Sequence, residues 1–176
     1  MTAPHASGRE AARAMRLAMH DAHVAPHEIE YVNAHASSTP LNDPAETAAI
    51  RLALGAHADR VPVSGTKGYH GHALGATGSW ESAICGMALQ QGWIPPTLNL
   101  ETPDAACDLD CVPGAGRALA FDVAIPNSFG FGGINACLVL RRDGPFDQRS
   151  PFVPLPGSPH PTRSPIQAML PRDRAP

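Results

Sequence analysis

Residues 31–43, YVNAHASSTPLND, pass from an apolar strand through a polar loop to the start of a helix. The apolar residues at 29–34 predict a short buried strand, and the sequence DPAE at 43–46 has the N-cap and first-turn residues of a helix. A histidine, His35, lies between the two elements. Binding and catalytic residues are concentrated on loops that a scaffold holds in place, so this loop is a candidate site. Its other polar members are Ser37, Ser38 and Thr39.

Helices and strands also alternate on both sides of this loop. Ser7 and Glu10 predict a capping box for a first helix that ends near residue 23. Further helices are predicted from residue 43 to a stop at Gly55, and over 79–91 with Gly92 as its end. This alternation indicates an α/β sandwich. Other strands are predicted at 61–64, 123–128 and 136–140, and the last two are joined by FGFGGIN.

Length and composition fit one globular domain. The chain has 176 residues, 43% of them hydrophobic, which is enough for a core. A net charge of −3 gives no basis for binding nucleic acid or an anionic membrane. The sequence has neither an apolar stretch long enough to span a bilayer nor the residue order of a secretory signal at its start. We therefore expect a cytoplasmic protein.

Two segments are rich in proline and glycine. Residues 92–118 are predicted to form an ordered surface loop without regular elements. Nine of the 19 prolines fall in the last 36 residues, so we predict a domain at 1–141 and a disordered tail at 142–176 with no assigned role. The cysteines are scattered, and we expect free thiols in a reducing compartment. They are Cys85, Cys107, Cys111 and Cys137.

Two more polar clusters follow predicted strands. One is GTKGYHGHALGATG, residues 65–78, which contains Lys67, His70 and His72, and the other is the turn at 129–133. The first does not match the phosphate-loop pattern G-x-x-x-x-G-K-[ST], so nucleotide binding is not expected. His70 and His72 could be part of a metal site, but an obvious third ligand is missing. Each cluster taken alone is weak evidence of function.

Taken together, four sequences resemble, in order and spacing, the C-terminal half of the β-ketoacyl-acyl carrier protein synthases, most closely the elongating type II enzymes. They are VNAHASSTPLND, SGTKGYHGHALGATG, IPPTLNLETPD and NSFGFGGINA, and the resemblance runs from Met1 to about Arg141. It implies one half of a thiolase-like layered α/β/α fold. The implied activity is that of a 3-oxoacyl-[acyl carrier protein] synthase, which condenses acyl and malonyl thioesters with loss of carbon dioxide. No cofactor is implied, because the phosphopantetheine arm of acyl carrier protein carries the substrates.

By position, the resemblance implies catalytic roles for four residues. His35 and His72 resemble the pair whose ring N–H groups hold the malonyl thioester oxygen, where charge develops during decarboxylation. Lys67 resembles the lysine that orders this cluster, and Glu81 resembles its acidic companion, since a buried ammonium needs a partner. The residues alone leave non-catalytic alternatives open. Each histidine could be structural, and Glu81 could be an ordinary carboxylate on a helix surface.

The resemblance also implies substrate-binding residues. Ser37, Thr39 and Thr2 match positions that hydrogen-bond the phosphopantetheine arm, although capping and turn chemistry would use the same hydroxyls. Phe131 lies where the family keeps a gating phenylalanine whose backbone N–H contributes to the oxyanion hole, with core packing as its alternative. The same turn adds Phe129 and Gly132 to the substrate-binding set.

Two residues depart from the usual pattern of the family. The family usually shows H-G-T where this chain has His35-Ala36-Ser37, and alanine suits that position only if a positive φ is not required. His70 stands where most relatives have a threonine. A titratable ring beside His72 could shift local pKa values or crowd the cavity.

The family's nucleophilic cysteine belongs to an N-terminal half that this sequence lacks. Full-length members are more than twice as long, and none of the four cysteines here has the helix N-terminal context that favours a thiolate. The simplest interpretation is a truncated or split enzyme that is inactive in condensation on its own. Expected partners are acyl carrier protein and either an N-terminal ketosynthase half or a homologous ketosynthase chain, and full-length members dimerise. Neither the pathway, fatty acid or polyketide, nor the acyl chain length follows from the sequence.

Two other functions fit parts of the sequence. One is a non-catalytic subunit of the chain-length-factor type, which shapes a cavity in a heterodimer. The intact set of His35, Lys67 and His72 argues against it, because a purely structural subunit does not need them. The other is a small metal-binding protein, suggested by the nine histidines, but we expect no bound metal.

Overall fold

The computed structural model describes residues 3–144, which form a mixed five-stranded sheet, a separate two-stranded ladder and helices on both faces of the larger sheet. The α-helices of this part are α1 (Arg9–Asp21), α2 (Asn42–Leu54), α3 (Lys67–His70) and α4 (Thr77–Gln91). The strands are β1 (Tyr31–Asn33), β2 (Val63–Ser64), β3 (Trp93–Ile94), β4 (Arg117–Ala118), β5 (Val123–Gly130), β6 (Ile134–Cys137) and β7 (Leu140–Arg141). Short 3-10 helices lie at Pro26–Glu28, Gly55–Arg60, Leu74–Ala76 and Phe131–Gly133.

The order of strands brings the polar loops together. The larger sheet runs β2-β1-β5-β6, and β1 is parallel to both of its neighbours. Strands β6 and β7 both pair antiparallel with β5, at opposite ends of it. Because the carboxyl ends of parallel strands meet at one edge of a sheet, the loops after β1, β2 and β5 share that edge. These are the three loops that the sequence singles out as polar.

Alternating side chains of the central strands face two separate cores. Val32 and Ile125 point to the face covered by α1 and α2, in a cluster that includes Met15 and Ile50. On the opposite face, Tyr31 belongs to a cluster with residues of α4, and its ring meets Phe121 edge-on at 5.6 Å. This two-residue alternation places helices on both faces, as the predicted α/β/α layering requires.

The ends of two helices differ in detail from the prediction. The capping box at Ser7 and Glu10 is wrong: Gly8 is the N-cap of α1 with φ 63°, and the Ser7 hydroxyl is hydrogen-bonded to His5 instead. Helix α2 begins before Asp43, and the Thr39 hydroxyl accepts the backbone N–H of Asn42. The predicted stops are confirmed, with Gly55 and Gly92 as the C-caps of α2 and α4.

The proline-rich segment 92–118 is more regular than predicted, because its two ends pair as the antiparallel strands β3 and β4. Gly116 allows this close approach. A Cβ atom at Gly116 would lie 2.5 Å from the Trp93 ring and 2.7 Å from the Ile94 carbonyl oxygen. A two-residue strand carries too little periodicity to be detected by a pattern of apolar residues.

The described residues end just beyond β7, whose last residue, Arg141, is the predicted end of the domain. Thr2 and the predicted tail from residue 145 onward lie outside the described residues. Between residues 3 and 144, every helix is too short or too polar to cross a membrane.

Candidate active site

His35 is held at the end of β1 by a buried carboxylate. The backbone N–H groups of His35 and Ala36 each donate to Glu46, at 2.8 Å to Oε1 and 2.8 Å to Oε2. Asn127 of β5 donates a third hydrogen bond to Oε1 at 3.2 Å. Both His35 and Glu46 are buried. The loop after β1 is therefore fixed to α2 and to β5 through one carboxylate.

Sequence analysis missed this role of Glu46, which it treated only as a first-turn residue of α2. Burial raises the pKa of the Glu46 carboxyl, while the hydrogen bonds from Ala36, His35 and Asn127 act in the opposite direction. An available signal was the position of a glutamate one turn into the helix that follows a short loop, from where it can reach back to loop N–H groups. Asn127 gave no comparable signal.

The rings of His35 and His72 lie next to each other although they come from different loops. Their centroids are 5.4 Å apart and their planes are inclined by 80°. Phe129, at the far end of β5, places its ring 5.6 Å from His35. The structure thus brings together three of the predicted site residues from the loops after β1, β2 and β5.

Lys67 contacts both the backbone and the ring of His35. Its ammonium donates to the His35 carbonyl oxygen, and Nζ is 3.4 Å from His35 Nδ1. An ammonium has only donors, so Nδ1 is the acceptor and we assign the His35 proton to Nε2. In this tautomer, the Nε2–H is left to donate to another group.

Glu81 is fully buried and pairs with Lys67 at 2.5 Å between Oε1 and Nζ. The alternative of a helix-surface carboxylate is therefore wrong. Burial raises the pKa of the Glu81 carboxyl to about 7, and the lysine opposes this shift. Its second oxygen, Oε2, has no hydrogen-bond partner among the described residues.

Both histidines are held in the neutral form near pH 7. Burial, followed by the charges of Lys67 and His72, lowers the pKa of His35 to about 4. Desolvation, followed by the charges of Lys67 and His70, also lowers the pKa of His72. A neutral imidazole has one N–H to donate and one nitrogen to accept, so each ring can act as a hydrogen-bond donor without carrying charge.

His72 is more loosely held than His35. Its side chain is exposed, and Nδ1 is 3.0 Å from the hydroxyl of Thr77, the first residue of α4. With Thr77 donating, the His72 proton lies on Nε2, as in His35. The segment between α3 and α4 bends through positive φ on both sides of His72, at Gly71 (73°) and Leu74 (49°).

The predicted substrate-binding residues lie around the histidine pair with different contacts. The Ser37 and Thr39 hydroxyls are 3.1 Å apart, and Thr39 also caps α2, so its predicted capping alternative describes a real contact. Phe131 is 72% exposed, which makes its core-packing alternative wrong. Gly132 has φ 80°, a conformation that favours glycine.

The first departure from the family pattern has a backbone consequence. Ala36 adopts φ 37°, so the position does require a positive φ and the alanine is strained there. The Ala36 methyl group also leaves no room for a side chain at position 65, because a Cβ atom at Gly65 would lie 2.6 Å from Ala36 Cβ. Ala36 is therefore compatible with this loop only while residue 65 is a glycine.

The cysteines have no feature of an activated nucleophile. All four are free thiols, and burial raises the pKa of each one, to about 11 for Cys111 and to about 12 for Cys137. Cys85 lies on α4 and is fully buried in the core that this helix forms with Tyr31. Over residues 3–144, no three His, Cys, Asp or Glu side chains are grouped so that they could hold a metal ion.

Comparisons with known proteins agree with these motifs. Residues 1–101 match the family described as β-ketoacyl synthase, C-terminal domain. The chain is 50% identical over 142 residues to "3-oxoacyl-[acyl-carrier-protein] synthase 2" of Synechocystis sp., covering 81% of this chain and 34% of that protein. The chain spans about a third of the length of the curated relatives it matches.

Two solved structures are similar over most of the described fold. One is a type II polyketide synthase acyl carrier protein in complex with its ketosynthase bound to the hexaketide, with a TM-score of 0.80, 37% identity, and coverage of 82% of this chain and 35% of that chain. The other is the ishigamide ketosynthase/chain length factor, with a TM-score of 0.76, 37% identity, and coverage of 81% and 34%. The predicted fold class, one half of a thiolase-like α/β fold, is confirmed by this similarity.

Proposed function

Because the chain belongs to the β-ketoacyl synthase family, through that family's C-terminal domain, we propose that it supplies the decarboxylation half of a 3-oxoacyl-[acyl carrier protein] synthase. The observation that carries the proposal is the meeting of two neutral imidazoles, with ring centroids 5.4 Å apart, at the shared edge of the sheet. Two N–H donors at this separation can converge on one oxygen atom. That arrangement suits an oxygen that becomes negatively charged during a reaction.

In the proposed step, a malonyl thioester places its thioester oxygen between the Nε2–H groups of His35 and His72. The bond to the carboxylate breaks, carbon dioxide leaves, and the electron pair of that bond forms the enolate. The negative charge is then shared by the thioester oxygen, where both rings donate hydrogen bonds. Donors that strengthen as charge develops lower the barrier, and removing one costs about 2.7–4 kcal/mol.

Lys67 and Glu81 keep the histidine pair ready for this step. The ammonium holds His35 Nδ1 as an acceptor, so the proton stays on Nε2, where it faces the substrate. The nearby positive charge also opposes protonation of both histidines. The Glu81 carboxylate pairs with the ammonium inside the protein, where an isolated charge would be costly.

Condensation needs a second half. The enolate carbon attacks an acyl group held as a thioester on a cysteine, a carbon–carbon bond forms, and the cysteine leaves as a thiolate. The thiols of this chain are buried or have raised pKa values, which is unfavourable for that nucleophile. The cysteine would come from an N-terminal ketosynthase half or a homologous chain, and the isolated chain would not condense substrates.

The substrates would arrive on acyl carrier protein. Ser37 and Thr39 lie on the loop that follows His35, where their hydroxyls can bond a phosphopantetheine arm. Phe131 lies exposed beyond Phe129 at the end of β5, in a suitable place for a side chain that moves with substrate. Thr2 completes this set by sequence position. The scheme uses no metal and no further cofactor.

The test combines the purified chain with a cysteine-bearing ketosynthase half and measures carbon dioxide released from malonyl-acyl carrier protein, together with the 3-oxoacyl product. We expect both activities only in the mixture, and a loss of about 100–1000-fold in decarboxylation for His35→Ala or His72→Ala. His20→Ala, on the exposed side of α1, is the matched control and should leave the rate unchanged. Condensation by the chain alone would contradict the split arrangement, and full activity of both site variants would contradict the histidine assignment.

A non-catalytic subunit of the chain-length-factor type is the second candidate. It is favoured by the similarity to the ishigamide ketosynthase/chain length factor. In that case, a heterodimer with a complete ketosynthase would retain its activity when His35 and His72 of this chain are replaced together. The same double variant mixed with the cysteine-bearing half separates the two candidates, since the first candidate requires the activity of that mixture to disappear.

A further inference from the structure

His70 connects three elements of the site, although the steps above give it no role. Its Nε2 atom is 3.4 Å from the Thr66 hydroxyl, which is fully buried and also accepts a 3.2 Å hydrogen bond from the side-chain amide of Asn33. The other side of the ring meets Trp80 edge-on, with centroids 5.4 Å apart and planes inclined by 87°. His70 thus joins the end of α3 to β1 through Thr66 and to α4 through Trp80.

The residues at these three contacts are close in sequence to the proposed catalytic groups. Asn33 is the last residue of β1, just before the His35 loop. Thr66 immediately precedes Lys67, and Trp80 immediately precedes Glu81. A displacement of α3 relative to α4 would therefore move Lys67 relative to Glu81.

The segment that follows His70 carries His72 and has little support of its own. It begins at Gly71, whose positive φ of 73° turns the chain out of α3, and a Cβ atom there would meet nothing within 4 Å. His72 is exposed, and its ring is hydrogen-bonded to Thr77 on the α4 side. The α3 side of the segment is anchored by the contacts of His70.

We propose that His70 is a positioning residue: it braces the end of α3 against α4 and so keeps the His72 ring beside His35. The catalytic importance of this bracing rests on the proposed function. The position of the His72 ring beside His35 can be measured in the chain without substrate. His70 acts through His72 and is not assigned contact with the reacting atoms.

The hydrogen-bonding state of His70 fits this role. Its Nδ1 atom is buried without a partner among the described residues. With the proton on Nε2, the ring donates to Thr66 Oγ1, and the buried Nδ1 atom needs no donor of its own.

The experiment uses the full chain labelled with ¹⁵N and ¹³C and observes the imidazole groups by NMR. His70→Ala removes both contacts of the ring, His70→Gln keeps an amide that reaches Thr66, and His70→Phe keeps a ring on Trp80. The signals to follow are the nuclear Overhauser effects between the rings of His35 and His72, the titration of His72, and amide hydrogen exchange over residues 71–76. His20→Ala is the control on a distant helix.

We expect His70→Ala to remove the contact between the His35 and His72 rings, to shift the His72 midpoint upward, and to speed exchange over residues 71–76 by about tenfold or more. Exchange in α1 and α2 should stay unchanged, and His70→Gln and His70→Phe should each restore part of the ring contact. An unchanged ring contact in His70→Ala overturns the proposal. So does an equal increase in exchange throughout the chain, which would mean that His70 supports the fold as a whole. These signals do not depend on decarboxylation, so they can fail independently of the proposed function.

Discussion

Lys67 shows how strongly single residues of the site depend on each other. Its ammonium contacts the carbonyl oxygen and Nδ1 of His35 on one side and the carboxylate of Glu81 on the other. The ion pair neutralises a buried acid, and the same ammonium fixes the tautomer of a buried base. Loss of Lys67 would leave a fully buried acid without its partner.

Lys67→Met should therefore destabilise the chain in a pH-dependent way. Breaking a buried pair costs about 3–5 kcal/mol when the remaining charge stays ionised. The pKa of Glu81 already lies raised at about 7, and without the lysine it rises further, so the lone carboxyl takes up a proton as the pH falls. A group with a raised folded-state pKa stabilises the protein at low pH and loses that contribution as the pH rises.

Urea unfolding at pH 5.5 and pH 8 measures this effect. Lys67→Met should lower the free energy of unfolding at both pH values. The loss should be larger at pH 8 than at pH 5.5. In the double variant Lys67→Met, Glu81→Gln, the loss should be the same at both pH values, because the carboxyl that causes the difference is absent. An equal loss at both pH values would show that Glu81 does not carry the effect.

Ala36 and Gly65 form a second coupled pair of residues. Ala36 lies at φ 37°, where an L-residue pays about 1–2 kcal/mol relative to glycine, partly offset by the larger freedom of glycine in the unfolded chain. We expect Ala36→Gly to raise the free energy of unfolding by about 0.5–1 kcal/mol.

The partner substitution, Gly65→Ala, should destabilise the chain by about 1–3 kcal/mol, because its Cβ atom would lie 2.6 Å from Ala36 Cβ. In the Ala36→Gly background the obstructing atom is absent, and the same substitution should cost much less. Chemical denaturation of the two single variants and the double variant gives the coupling energy. Additive effects would mean that the two positions do not share this contact.

At the scale of elements, the site depends on how closely α1 and α2 pack beneath it. Gly8, the N-cap of α1, has φ 63°, and a Cβ atom there would lie 2.4 Å from the Ala45 carbonyl oxygen and 2.6 Å from the Ala49 backbone nitrogen. Glu46, which holds the His35 loop, lies on the same turn of α2. The fit between the helices therefore positions the Glu46 carboxylate that holds the His35 loop.

Gly8→Ala should accordingly reduce stability and loosen the His35 loop together. We expect a loss of about 2 kcal/mol or more, from strain at positive φ and from the backbone clash. Gly86→Ala is the matched control, because a Cβ atom at that position of α4 meets nothing within 4 Å, and alanine there should stabilise the helix by about 0.5–1 kcal/mol. Thermal unfolding of both variants measures the two stability changes, which should have opposite signs. An unchanged stability of Gly8→Ala would contradict the close approach of α1 and α2.

The elements also show how far sequence reasoning could reach. Long helices such as α4 were predictable, because the run of apolar residues and the stop at Gly92 are local features. The ladder of β3 and β4 was not, because it depends on a pairing between the ends of a 27-residue segment, 92–118, that only the folded chain brings together. The sequence offered several neighbouring hydroxyls for the start of α2, and only the structure shows that Thr39 accepts the Asn42 N–H.

For the site, the sequence motifs identify the histidines, the lysine and Glu81 as candidates, and the structure supplies their separations. Glu46 and Asn127 were not identified, because their polar contacts reach across the fold to the His35 loop. The consequence of Ala36 needed a backbone angle, which a sequence does not contain. Motifs therefore identify the candidate site residues better than they identify the residues that hold the site loops in place.

At the scale of the whole molecule, apolar side chains are exposed on one face of the structure's central helix and on an edge strand. Trp80 and Met87 lie two turns apart on α4, and Ile134 and Leu138 lie on β6 and just beyond it. Large exposed apolar side chains on these two elements indicate an interface there. With relatives about three times as long, the proposed cysteine half is the expected cover.

The isolated chain should therefore self-associate, and charged residues on this surface should suppress association. We expect Met87→Lys combined with Ile134→Lys to shift the sedimentation profile towards the monomer. Leu17→Lys, at an exposed leucine of α1, is the control and should have no effect. A monomeric unmodified chain at micromolar concentration would contradict this use of the surface.

The pairing of β1 with β5 has a consequence for how the chain matures during synthesis. Glu30, at the start of β1, binds the backbone N–H of Val123, 93 residues later. A ribosome adds about 5–20 residues per second, so the strand that leads to His35 waits roughly 5–20 seconds for its neighbour. Throughout that interval its hydrogen-bonding edge is open to other nascent chains, and we expect the yield of native protein to depend on chaperones that shield it until residue 130 has emerged.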